Sequence, residues 1–104
     1  MTTDALARQR QLVTQYPRNE LARFSLGKAL FDRGDYAEAQ IHLGEAIQRK
    51  PDWMVVEILW GKCALKLGNQ EAARAAFARA LDLAIAQHHE GPQLEMQQLL
   101  AELQ

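Results

Sequence analysis

Apolar residues fall along this chain in blocks at helical spacing, separated by short polar breaks. Leu21, Phe24, Leu26, Leu30 and Phe31 recur three and four residues apart, which predicts an amphipathic helix. Gly34 then supplies the left-handed residue that ends it without a Cβ penalty. Asp35 is the expected N-cap of the next helix. Glu38 stands three residues on, so the pair resembles a capping box in which each side chain satisfies an orphan backbone N–H. That helix runs from Tyr36 to about Arg49. Pro51 closes it, and Asp52 is the expected cap of the following one. The same grammar then recurs: a helix from Met54 to Leu67, a turn and cap at Gly68 and Asn69, and a helix from Gln70 to about His88. Alanine dominates the last of these, a composition that favours helix and lets neighbours approach closely. Glu90, Gly91 and Pro92 read as a break. Beyond it, Leu94, Leu99, Leu100 and Leu103 form the apolar face of a short final helix. At the other end, Ala5, Leu6, Leu12 and Val13 mark a helix from about Thr3 to Gln15. The pattern predicts six helices in an all-α chain.

Sliding the sequence against itself by 34 residues superimposes Gly27 on Gly61, Lys28 on Lys62, Gly34 on Gly68, Ala39 on Ala73 and Ala46 on Ala80. Leu43 falls on Phe77 and Pro17 on Pro51 at the same offset. A fixed period of this length marks a repeat architecture, in which each unit buries its apolar face only by stacking on its neighbours.

The repeat resembles the tetratricopeptide repeat, a helix-turn-helix unit with the pattern W-x2-L-G-x2-Y, then A-x3-F, then A and P. The first unit, Glu20 to Trp53, carries Leu26, Gly27, Leu30, Gly34, Tyr36, Ala39, Leu43, Ala46 and Pro51 at the family positions. The second, Met54 to Gln87, carries Trp60, Gly61, Ala64, Gly68, Ala73, Phe77 and Ala80. Arg23 and Glu57 depart from the pattern, standing where the family often has a large apolar residue. Ile85 replaces the closing proline, so the last helix of the second unit is expected to run on. The resemblance implies a single domain over residues 1–104, built as a short right-handed α-solenoid of antiparallel helix pairs. Residues 1–16 would form an N-terminal capping helix, 20–53 and 54–87 the two repeats, and 92–104 a C-terminal capping helix.

By the same resemblance, the first helix of each pair lines a concave groove where ligands bind. The groove positions are Leu21, Phe24, Lys28, Phe31 and Asp32 in the first unit and Val55, Ile58, Lys62, Leu65 and Lys66 in the second. An apolar floor edged by three lysines and one aspartate suits an amphipathic helix or an extended peptide bearing acidic groups. The function implied is a protein-interaction scaffold or adaptor. The alternative is a self-associating module, a homodimer built on the leucines of the final helix, with Leu21, Phe24 and Ile58 packed against a terminal helix and no open groove. The carboxylate clamp that some members use on chaperone tails is not expected, because its positions here hold Phe24, Lys28 and Leu59.

Composition and charge narrow the remaining chemistry. Twelve basic and thirteen acidic residues leave a net charge of -1, so no global field draws the chain to nucleic acid or to an anionic membrane. The apolar runs are too short to span a bilayer, and the N-terminus lacks the uninterrupted apolar stretch of a signal peptide. The expected location is the cytoplasm. Cys63 is the sole cysteine, which excludes an intrachain disulfide and a multi-cysteine metal cluster. It reads as a small buried apolar residue. His88 and His89 are adjacent, so their side chains diverge by about 100° on a helix and suit a polar helix end better than a metal site. Trp53 reads as a packing wedge. No phosphate-binding loop or nucleophile motif is present. The chain is expected to need no cofactor and no metal, and not to be an enzyme.

Overall fold

The computed structural model describes residues 5–104, with side chains from Leu6 onward. The helices are α1 (Ala5–Gln15), α2 (Glu20–Arg33), α3 (Tyr36–Arg49), α4 (Met54–Lys66), α5 (Gln70–Ala86) and α6 (Glu90–Glu102). The predicted start of α1 near Thr3 lies outside the described residues. Among those residues there are six helices and no strand, arranged as a short right-handed α-solenoid. Among the described residues, no helix is long and apolar enough to cross a membrane.

Each pair, α2 with α3 and α4 with α5, closes through the same backbone device. Gly34 takes φ 86° and Gly68 φ 84°. In both turns the next amide reaches back over one helical turn, Asp35 N–H to the Leu30 carbonyl at 2.9 Å and Asn69 N–H to the Ala64 carbonyl at 2.8 Å. This is the Schellman arrangement, which satisfies the last carbonyls of the helix. The end of α5 repeats it without glycine: His88 sits at φ 59°, and His89 N–H meets the Ala84 carbonyl at 2.9 Å.

Helix starts follow the sequence less closely. Asn69 caps α5 as expected, its Oδ1 accepting from Ala72 N–H at 3.1 Å, and Asn19 does the same for α2 at 3.0 Å. Asp35 makes no side-chain cap bond. The expected capping box fails because Glu38 turns away to meet Arg10 of α1 in a two-stranded ion pair. The residue at the cap of α4 is Trp53 rather than Asp52. The final helix also begins earlier than the break at Glu90, Gly91 and Pro92 implied. Pro92 lies inside the first turn of α6, where backbone N–H groups have no intrahelical acceptor and proline removes nothing.

Packing between helices depends on small residues facing large ones. Gly27 lies under Leu43, and a Cβ there would stand 2.7 Å from Leu43 Cγ. Gly61 lies under Phe77 in the same way, at 2.6 Å from the ring. The 34-residue pairing of Gly27 with Gly61 and Leu43 with Phe77 is therefore one contact made twice. Leu26, Leu30, Ala39, Leu43, Ala46, Val56 and Cys63 form the first core with Leu6 and Val13 of α1. Ile58, Ala64, Ala73, Phe77, Ala80, Met96 and Leu103 form the second. Trp60 touches both cores and joins them. Cys63 is fully buried, and burial pushes its thiol up to about 11, consistent with a packing role. Trp53 wedges between units, its ring 4.8 Å from Phe24 with Lys50 Nζ 5.5 Å above it.

Candidate peptide-binding face

On one side of the stack α2 and α4 are in backbone contact, and α6 reaches α4 through the Lys62–Glu95 side chains. At the backbone level α1 packs on α2 and α6 packs on α5. By its place after α5, α6 corresponds to the first helix of a further unit. It begins 36 residues after α4, whereas α4 begins 34 after α2. The extra length comes from α5, which continues to Ala86 past Ile85, the residue standing where Pro51 closes the first unit.

The six apolar groove positions divide into three groups. Leu21 and Val55 are exposed at 60% and 43%, and Leu94 of α6 joins them at 61%. Phe24, Phe31 and Leu65 are half-buried: Phe24 leans on Trp53, Phe31 meets Tyr36 edge-on at 5.3 Å, and Leu65 packs on the second core. Ile58 is only 7% exposed and belongs to the second core, so it supports the face rather than presenting itself on it.

The charges are arranged otherwise than three lysines waiting for an acidic ligand. Lys28 Nζ lies 3.1 Å from Asp32 Oδ2, one turn along the same helix. Lys62 Nζ lies 3.0 Å from Glu95 Oε2 of α6, and it is the more sheltered of the two lysines. Lys66 is exposed in the last turn of α4. Glu95 was not among the residues the sequence pointed to, and Leu94 was read as part of the apolar face of the final helix rather than of the groove. The signal was the first-helix pattern in α6, displaced by the two extra residues before it.

Behind the face, the two departures from the family pattern find partners. Arg23 Nε reaches Glu45 Oε2 at 3.0 Å, and Arg79 Nε reaches Glu57 Oε2 at 3.2 Å. Arg23 also approaches His42 Nδ1 at 3.2 Å, while His42 Nε2 stands 3.6 Å from Glu38 Oε2. Burial holds His42 below its ordinary value, with the Arg23 charge adding to the effect. The Arg10 guanidinium holds Glu38 below the usual carboxylate range. The line Arg10, Glu38, His42, Arg23, Glu45 thus ties α1, α3 and α2 together. His42 has two polar partners, Arg23 and Glu38. Among the described residues, no three His, Cys, Asp or Glu side chains gather in a way that would hold a metal ion.

The leucines of the final helix are mostly consumed by the fold. Leu103 is buried, Leu99 and Leu100 are half-buried against the second core, and Leu94 remains exposed. Arg74 of α5 anchors the end of α6 with two bonds to the Leu103 carbonyl, at 2.9 and 3.3 Å.

Comparison with known proteins agrees with this architecture. The family model for the tetratricopeptide repeat matches residues 22–52 and 59–84. The TPR repeat-containing protein PA0015 of Pseudomonas aeruginosa is 32% identical over 85 residues, covering 82% of this chain and 81% of that protein. Among solved structures, PcrH in complex with the chaperone binding region of PopD superimposes with a TM-score of 0.89 at 22% identity, over 96% of this chain and 76% of that one. Protein BPP2914 from Bordetella parapertussis gives a TM-score of 0.83 at 26% identity, over 98% and 89%. The first TPR of Spaghetti (RPAP3), bound to the HSP90 peptide SRMEEVD, gives 0.80 at 17% identity, over 95% and 77%. Repeat period, paired helices and glycine-under-aromatic packing lead to the same conclusion as these matches: the chain belongs to the tetratricopeptide repeat family.

Proposed function

We propose that the chain is a protein-interaction scaffold that holds a peptide or helix of a partner on the groove formed by α2, α4 and α6. The observation that carries this reading is the exposure of Leu21, Val55 and Leu94, one apolar residue from each of α2, α4 and α6. Exposed apolar groups on three helices offer a partner area to bury, and the stack beneath them is held by two cores. Two structural relatives carry peptides or partner segments, the PopD region on PcrH and the HSP90 peptide on Spaghetti. The glutamates described above act in ion pairs with arginine or lysine, which fits a scaffold better than an enzyme.

Leu21→Glu and Val55→Glu test the groove, because both residues are exposed and a charge there leaves the cores intact. Partners recovered by affinity purification with the wild-type chain are expected to be lost with the double variant while its helical circular dichroism is unchanged. Full retention of every partner by a folded double variant would remove the groove from consideration. Self-association is the second reading, and with Leu99, Leu100 and Leu103 committed to the fold it would have to use Leu94 and the groove itself. Sedimentation equilibrium of the wild-type chain and Leu94→Glu separates the two. A dimer abolished by that change favours self-association.

A further inference from the structure

We propose that Glu95 determines which ligands the face accepts: it occupies Lys62 from within the chain, so the groove takes apolar segments without acidic groups and turns acidic ones away. The inference rests on the groove reading above. Its observations are the 3.0 Å pair between Lys62 and Glu95 and the 3.1 Å pair between Lys28 and Asp32. Two of the three groove lysines therefore already have a carboxylate. Asp32 sits on the same helix as its lysine, whereas Glu95 comes from α6, the helix added beyond the second repeat.

The electrostatic consequence follows from exchange. A ligand carboxylate that approaches Lys62 meets an ammonium already neutralised by Glu95, and it either shares that ammonium or displaces Glu95, with little gain in either case. Both outcomes leave two carboxylates close together, and like charges brought together oppose binding. An apolar segment meets no such penalty, because it can lie over Leu21, Val55 and Leu94 and leave both pairs in place. Removing the Glu95 charge would leave Lys62 without its carboxylate from α6, one helical turn along α4 from the exposed Lys66. The face would then attract acidic ligands.

The test uses the full chain and random peptides displayed on phage, selected in parallel on wild type, Glu95→Gln and Lys62→Gln/Glu95→Gln. Gln keeps the shape of Glu95, and α6 is held independently by Met96, Leu103 and the Arg74 bonds, so thermal melts should show all three folded. Wild type is expected to enrich apolar peptides with no more Asp and Glu than the starting library. Glu95→Gln is expected to enrich acidic peptides and to bind a synthetic acidic peptide about five-fold more tightly than wild type, a gain typical of one partly exposed charge pair. The double variant should lose that gain. An enriched but acidic wild-type pool, or a Glu95→Gln pool of unchanged charge, overturns this inference and leaves the groove reading standing. Enrichment of no peptide by any of the three proteins overturns the groove reading, and this inference with it.

Discussion

Glu57 and Arg79 meet at 3.2 Å in the second repeat at the two places where Arg23 and Glu45 meet in the first, with the charges exchanged. In each unit one member lies on the first helix and the other on the second, and both pairs keep the 34-residue offset. The exchange has a consequence for pairing. A first helix laid against the wrong second helix would bring Arg23 to Arg79 or Glu57 to Glu45, so the pairs favour each unit closing on itself.

The Glu57 side chain is only 4% exposed, so its carboxylate depends on Arg79. Arg79→Ala is expected to cost about 2 kcal/mol by leaving that acceptor buried and unpaired, read as a lower midpoint in urea. Arg79→Glu should cost more, since it faces two carboxylates. The reversed double variant Glu57→Arg/Arg79→Glu copies the first unit and should recover most of the loss. A double variant no more stable than Arg79→Glu alone would show that the pair is not an independent module.

A methyl group at Gly61 would stand 2.6 Å from the Phe77 ring and 3.1 Å from Ala76 Cβ. Phe77 is completely buried and has no room to withdraw. Gly61→Ala should therefore destabilise by about 2 kcal/mol, the overpacking cost outweighing the better helix propensity of alanine. Gly27→Ala should behave alike against Leu43. Thermal melts of both variants check this, and an unchanged or raised midpoint would contradict the close approach.

His88 holds the left-handed position that Gly34 and Gly68 hold elsewhere, at φ 59°. A side chain there costs about 1–2 kcal/mol, less the entropy that glycine itself loses on folding. His88→Gly is expected to raise stability by about 0.5–1 kcal/mol. Gly34→Ala should move the melting temperature the opposite way, since no neighbour lies within 4 Å of that site and only backbone conformation is at stake.

His42 has its pKa lowered from an ordinary 6.5, first by burial and then by Arg23, against the opposing pull of Glu38 and Glu45. The fold therefore favours the neutral ring. Its contribution is fully present above pH 6.5 and is lost as pH falls below that value toward the lowered folded pKa, because the unfolded chain takes up the proton first. Urea midpoints at pH 7.5 and 5.5 should fall for wild type, and fall less for His42→Gln. Equal losses in both proteins would place the pH dependence elsewhere.

The legible parts of this molecule were those encoded by local chemistry. Apolar spacing located all six helices, Gly34 and Gly68 marked their turns through backbone sterics, and Ile85 in place of proline announced the longer α5. Caps were less legible. Asp35 and Glu38 have the spacing of a capping box, yet Arg10, 28 residues from Glu38, offers the carboxylate a charged partner that a backbone amide cannot match. Trp53 displaced Asp52 at the start of α4 while its ring packs on Phe24.

The sequence by itself determined the period, the paired helices and the glycine turns, because each follows from spacing, glycine conformation and side-chain size within about 34 residues, and it raised the expectation of a first-helix face. Only the tertiary structure decided how charge is shared on and behind that face. Lys62 meets Glu95 across 33 residues, and Glu57 meets Arg79 across 22. An ion pair depends on distance in space, and no helical period or propensity records which distant side chains the stacking of α4, α5 and α6 brings within 4 Å of each other.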